Sequence, residues 1–207
     1  MSELKIGVLV SGGGTNLEAI IESCEKGKIP ARVVLVISNK EDAYALTRAR
    51  NHDIEGMFLS PRDFKTREEY WEKMRDILEE RKIGLICLAG FLLKLSPLIV
   101  KKFRGRIMNI HPALLPEFGG DGMYGRRVHE AVLESGAKFS GCTVHFVDEV
   151  YDAGPIILQK KVPVLSNDTP DTLAERVLKE EHKTYSEAIK LFAERKLEIK
   201  GKRVIIK

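Results

Sequence analysis

Residues 106–116 read RIMNIHPALLP, an apolar strand, an asparagine, a histidine and a helix-breaking proline in quick succession. Asn109 and His111 stand two apart, so while the strand persists both side chains leave the same face. Pro112 biases His111 away from helical geometry and toward an extended one, which keeps the imidazole at the strand's C-terminal end. Open α/β sheets hold their ligands beyond the carboxyl ends of their strands. This stretch is therefore the expected reaction centre.

Working outward, residues 5–10 form an apolar run without alternation, the pattern of a strand buried on both faces. Ser11-Gly12-Gly13-Gly14-Thr15-Asn16 interrupts it, and residues 17–21 resume at helical spacing. In such a strand, loop and helix the glycines let the backbone approach a ligand closely, and free N–H groups at the helix start favour an anion. A phosphate site and a plain tight turn with a Ser, Thr or Asn cap fit these glycines equally. The loop lacks the Lys-Ser/Thr ending of a nucleoside-triphosphate site and does not reproduce GxGxxG, so a simple phosphomonoester fits better than ATP or NAD.

The alternation continues. Strands are predicted at 32–37, 56–59, 83–89 and 106–110, and helices at 43–51 and 67–82, with a further helix opening at Ser96-Pro97. Arg67, at a helix start that prefers anions, either faces a ligand or is simply solvated. Phe91-Leu92-Leu93, just past a strand end, belong either to the core or to a flat pocket for an aromatic ligand. Residues 117–127 (EFGGDGMYGRR) carry four glycines and no periodicity, as a lid would. A helix at 128–135, strands at 143–147 and 156–164, a long helix from Thr169-Pro170 to Arg195 and a closing run at 202–206 complete the chain. The acidic loop at 148–154 is either a solvated turn or, if it faces His111, a source of a carboxylate that favours the protonated imidazole. Without repeats or linkers, the expectation is one α/β domain over 1–207, a mostly parallel twisted sheet with helices on both faces.

Composition narrows the classes. The 207 residues are 43% hydrophobic and 31% charged, and 34 Lys and Arg against 30 Asp and Glu leave a net charge of only +4. The charges are interspersed, which argues against a nucleic-acid partner. Cys24, Cys87 and Cys142 are distant from one another and lack CxxC spacing, so neither a disulfide framework nor a zinc site is expected, and the cytoplasm is the expected compartment. The first apolar run ends in glycines, without a cleavage site, and reads as a strand and not a signal peptide. No run approaches the roughly 20 apolar residues of a membrane span.

An amide donor, an imidazole and a carboxylate suit acyl-type transfer, in which the amide and imidazolium stabilise a developing oxyanion. No Ser or Cys occupies a nucleophile elbow, so direct attack by a substrate amine or by water is expected.

Four segments, SGGGTNL at 11–17, LAGF at 88–91, NIHPALLP at 109–116 and HFVDEVYDAGPIILQ at 145–159, closely resemble the folate-dependent glycinamide ribonucleotide formyltransferases of purine synthesis. The resemblance implies a Rossmann-like formyltransferase fold with Asn109, His111 and Asp152 as the catalytic trio. It implies that Gly14, Thr15 and Asn16 hold the substrate phosphate and that Glu181 binds the ribonucleotide. Arg67, Leu92, Leu93, Lys94, Leu95, Asn109, Asp148, Glu149, Val150, Tyr151 and Asp152 fall at folate-contacting positions. The implied substrates are 5'-phosphoribosylglycinamide and 10-formyltetrahydrofolate, with no metal, nucleic acid or membrane involved and a monomer or homodimer as the assembly.

Two departures stand out. Leu92-Leu93 occupy positions where relatives often have Met-Arg, with the cation displaced to Lys94, and Arg127 replaces a common histidine in a lengthened loop. Methionyl-tRNA formyltransferase would need a further C-terminal domain and a basic surface, and formyltetrahydrofolate deformylase usually carries an N-terminal regulatory domain; neither is expected here. A sugar-nucleotide formyltransferase and a noncatalytic phosphometabolite-binding protein are the remaining alternatives.

Overall fold

The unbroken apolar runs of the N-terminal half become parallel strands. In the computed structural model, which describes residues 3–207, β1 (Leu4–Val10), β2 (Ala31–Ser38), β3 (Glu55–Phe58) and β4 (Leu85–Leu88) lie in the order β3-β2-β1-β4. The β1–β2, β1–β4 and β2–β3 pairs are all parallel. Between them run α1 (Thr15–Glu25), α2 (Tyr44–Asn51) and α3 (Arg67–Glu80), and α4 (Pro97–Lys102) follows β4. α3 buries Tyr70, Trp71, Met74, Ile77 and Leu78, one face at helical spacing, as its sequence pattern predicts. Thr66 caps it by accepting the Glu69 N–H, which leaves Arg67 as the first helical residue.

The chain divides into two compact units, the second beginning at Asn109, inside β5 (Ile107–His111). The second unit continues through α5 (Arg126–Glu134), β6 (Phe139–Phe146), β7 (Ile156–Pro163) and α6 (Pro170–Ala193), and ends in a ribbon of β8 (Leu197–Lys200) and β9 (Arg203–Ile206). β6 and β7 are antiparallel. α6 opens with a capping box: Thr169 and Thr172 each accept the other's backbone N–H. The strand order is β3-β2-β1-β4-β5-β6-β7, a seven-stranded α/β sheet that is parallel through β3-β2-β1-β4 and antiparallel at β6–β7. No helix among the described residues is long and apolar enough to cross a membrane.

Two elements depart from the sequence pattern. β6 starts at Phe139, ahead of the alternating run at 143–147, because pairing with β7 sustains it through Ser140 and Gly141. β8, in which Leu197 and Ile199 alternate with Glu198 and Lys200, lies past the predicted helix and pairs antiparallel with β9. Gly141 shows how close the pairing is: a Cβ there would stand 2.0 Å from the Lys160 carbonyl oxygen and 2.7 Å from Leu114 Cδ2. Backbone cannot yield as a flexible side chain does. Gly141→Ala should therefore cost about 1–3 kcal/mol of unfolding free energy, measured by urea titration; an unchanged midpoint would contradict this account of the β6–β7 pair.

Candidate active site

β5 persists through His111, so Asn109 and His111 do share a face. The segment after them is pinned by one buried hydroxyl. Thr143 Oγ1 donates to the Ala113 carbonyl at 2.7 Å and accepts the Leu115 N–H at 3.1 Å. Gln159 Nε2 donates to that same hydroxyl and to the Leu115 carbonyl, both at 2.9 Å. The PALLP turn is thus fixed by side chains from β6 and β7, and with it the direction in which β5 ends.

His111 is buried, and its Nε2–H donates to the Phe118 carbonyl at 2.7 Å. Its Nδ1 faces Asp152 Oδ2 at 3.6 Å, and the same oxygen accepts the Gly120 N–H at 3.0 Å. The glycine-rich loop after Pro116 therefore lies against the His111–Asp152 pair through Phe118 and Gly120. Asp152 adopts φ +50°, a left-handed conformation uncommon outside glycine and most tolerable for Asp and Asn. Residues held in such conformations cluster at functional sites.

A second imidazole completes the cluster. His145, buried on β6, donates Nδ1–H to the Phe146 carbonyl at 2.9 Å. That tautomer leaves Nε2 as an acceptor, and the Asn109 amide donates to it at 3.2 Å. Nε2 also lies 3.5 Å from Asp152 Oδ1. One N–H of the Asn109 amide is thereby committed and the other remains available. His129, on α5, is also buried, and its Nδ1 has no hydrogen-bond partner.

Burial pushes the His111 imidazole below its ordinary pKa, outweighing the Asp152 carboxylate and the Phe118 carbonyl, which both push it up. The Asp152 contribution has the sign the acidic loop suggested, but desolvation is larger, so the resting imidazole is neutral. His129 is lowered by burial first and by the neighbouring charge of His111 second. Burial raises the Asp152 carboxyl, yet His145, the Gly120 N–H and, when it carries a proton, His111 hold it below the usual carboxylate range.

The other predicted positions divide between the two units. In the first, Gly14 caps α1 at φ +73°, Thr15 begins the helix, and Asn16 follows half-buried. Arg67 is exposed; Leu92 and Lys94 are exposed, Leu93 half-buried and Leu95 buried. The Leu92 N–H donates to Ser11 Oγ at 2.9 Å, tying this segment to the strand end that leads into the glycines. In the second unit Glu181 is buried on α6, while Asp148, Glu149, Val150 and Tyr151 form an exposed rim leading to Asp152. His145, His129 and Thr143 were not singled out in the sequence. The available signal was Thr143 and His145 two apart in an alternating strand, both polar on one face.

This arrangement suits transfer of an acyl-level carbon, and the comparisons agree. The chain belongs to the formyl transferase family, whose model matches residues 4–189. It is 45% identical over 199 residues to the chloroplastic phosphoribosylglycinamide formyltransferase of Arabidopsis thaliana, covering 93% of this chain and 66% of that protein. It is 41% identical over 196 residues to the phosphoribosylglycinamide formyltransferase of Haemophilus influenzae, covering 95% and 90%. The chain thus spans just under two thirds of the plant protein's length but most of the bacterial one. Among solved structures, glycinamide ribonucleotide transformylase 1 from Symbiobacterium toebii superposes with a TM-score of 0.94 at 45% identity, covering 99% of this chain and 94% of that one.

His111 and His129 contribute to the acid behaviour. For a group depressed below its ordinary value of 6.5, stability is complete above that value and is lost as pH falls through the folded-state pKa. His52, raised by Glu18 and Glu25, has the opposite sign, its stability being present below 6.5 and lost as pH rises through its folded pKa. His111→Asn should therefore lose less unfolding free energy than the parent between pH 7 and pH 5. Urea titrations at both pH values test this, and an identical loss would contradict it.

Proposed function

We propose that the chain transfers the formyl group of 10-formyltetrahydrofolate to the amine of 5'-phosphoribosylglycinamide, a step of de novo purine synthesis. The observation that carries the reading is the buried cluster of Asn109, His111 and Asp152, three groups from β5 and the acidic loop within one hydrogen-bonded neighbourhood. The names of the relatives support it over a deformylase or a sugar-nucleotide enzyme. The wide spacing of Cys24, Cys87 and Cys142, with no CxxC pair, supports a cytoplasmic setting.

The chemistry follows from the hydrogen bonds. As the glycinamide nitrogen attacks the formyl carbon, negative charge develops on the formyl oxygen and positive charge on the nitrogen. The free N–H of Asn109, whose other N–H is held by His145, donates to the oxyanion. His111, neutral at rest, takes on Nδ1 the proton that the attacking nitrogen sheds, and the imidazolium so formed gives its Nε2 proton to the departing folate nitrogen. While it carries that proton, Asp152 stabilises the imidazolium across the 3.6 Å contact. The Phe118 carbonyl occupies Nε2–H, so the loop must release that nitrogen if it is to reach substrate.

In this reading Gly14, Thr15 and Asn16 bind the phosphate with N–H groups at the start of α1, and Glu181 binds the ribonucleotide. Arg67, Leu92, Leu93, Lys94 and Leu95 contact the folate, the pterin being enclosed by Asp148, Glu149, Val150, Tyr151 and Asp152. Since Leu93 carries no charge, folate contacts there come from backbone and apolar surface.

The test is a spectrophotometric assay with both substrates, following loss of the formyl folate. Asn109→Ala, His111→Ala and Asp152→Asn should each reduce kcat by ~10²–10⁴ with circular dichroism unchanged. Consumption of formyl folate independent of the ribonucleotide would identify a deformylase instead, and no turnover with either acceptor would reject both enzymes.

A further inference from the structure

The glycine loop of the first unit is held from behind by α2. The Gly12 carbonyl accepts the Ala45 N–H at 3.1 Å, and the Gly13 carbonyl accepts Arg48 Nε–H at 2.8 Å. In a planar trans peptide the N–H points opposite to the C=O. Drawing these two carbonyls onto α2 therefore turns the N–H groups of Gly13 and Gly14 the other way, away from the helix. Gly12 and Gly13 are exposed, and a Cβ at Gly14 would stand 2.7 Å from Ala45 Cβ, so α2 lies directly against the loop.

Arg48 is itself fixed. Its Nη1 donates to Glu18 Oε2 at 2.9 Å, and its guanidinium carbon sits 5.0 Å from the centre of the Tyr44 ring. The other Glu18 oxygen lies 3.0 Å from His52 Nε2, and His52 Nδ1 lies 2.8 Å from Glu25 Oε1. A guanidinium presents several donors in a rigid plane and satisfies the Gly13 carbonyl and Glu18 together, whereas a lysine offers a single ammonium centre.

We propose that Arg48 is a positioning residue for the substrate phosphate: by holding the Gly13 carbonyl on α2 it aims the Gly14 N–H, beside that of Gly13, at the anion. The inference rests on the reading of Gly14, Thr15 and Asn16 as the phosphate loop. Arg48 acts through the loop geometry and not through its own charge, which Glu18 already balances.

The experiment is steady-state kinetics on the full chain with each substrate varied in turn. Arg48→Met should raise the KM for the ribonucleotide roughly 10- to 100-fold, leaving kcat and the KM for formyl folate near the parent values. A merely structural loss would move all three. The double variant Arg48→Met/Glu18→Gln removes cation and anion together and should keep the raised KM; return to the parent KM would mean that charge alone mattered and would overturn the inference. Arg48→Lys, which keeps the charge, should give an intermediate KM, and it carries the test if Arg48→Met does not fold.

Asn16→Ala and Gly14→Ala separate the inference from its premise. If they raise the ribonucleotide KM and Arg48→Met does not, Arg48 is not a positioning residue while the phosphate loop stands. If none of the three moves it, the phosphate-loop reading fails and the inference fails with it.

Discussion

The carboxylate of Asp152 is the constraint around which the second unit is arranged. Burying an anion is costly unless its oxygens are satisfied. Here Oδ2 takes the Gly120 N–H and faces His111, while Oδ1 faces His145. Each of those partners has a second tether: His111 to the Phe118 carbonyl, His145 to the Phe146 carbonyl and to Asn109. The carboxylate ties the glycine-rich loop to the cluster through the Gly120 N–H and lies beside both imidazoles. It also stabilises positive charge on His111 only while a proton is there, since burial keeps the resting ring neutral. A proton relay needs such a balance, because an imidazole already protonated at rest has no site to accept a second proton.

The first unit solves a different problem by a different means. In the proposed reading it binds a phosphate with backbone N–H groups, oriented by where their carbonyls are held. Gly14 is needed on two counts, for its positive φ and for the close approach of Ala45. In the same reading the helix start after it adds further N–H groups for the anion.

Much of this was legible in the sequence because it was local. The strand, glycine loop and helix at the N-terminus, and the Asn109–His111 pair ahead of Pro112, depend on neighbours within a few residues. The burial face of α3 was legible for the same reason. What was not legible depends on partners far along the chain. His145 gains its role from Asn109, 36 residues away, and Thr143 from Leu115, 28 residues away. The Asp152 carboxylate raises the His111 pKa, as the acidic loop implies, but the larger opposing effect of burial is a property of the packed unit and no spacing encodes it. The first residues of β6 likewise follow their antiparallel partner β7.

The central claim is that His111 rests neutral with its proton on Nε2 and its bare Nδ1 toward Asp152. Nitrogen-15 NMR of the imidazole rings reports this directly, since protonated and unprotonated ring nitrogens differ widely in chemical shift. At neutral pH the account predicts for His111 a neutral ring of the Nε2–H tautomer. An Nδ1–H tautomer, or a resting imidazolium, would contradict it.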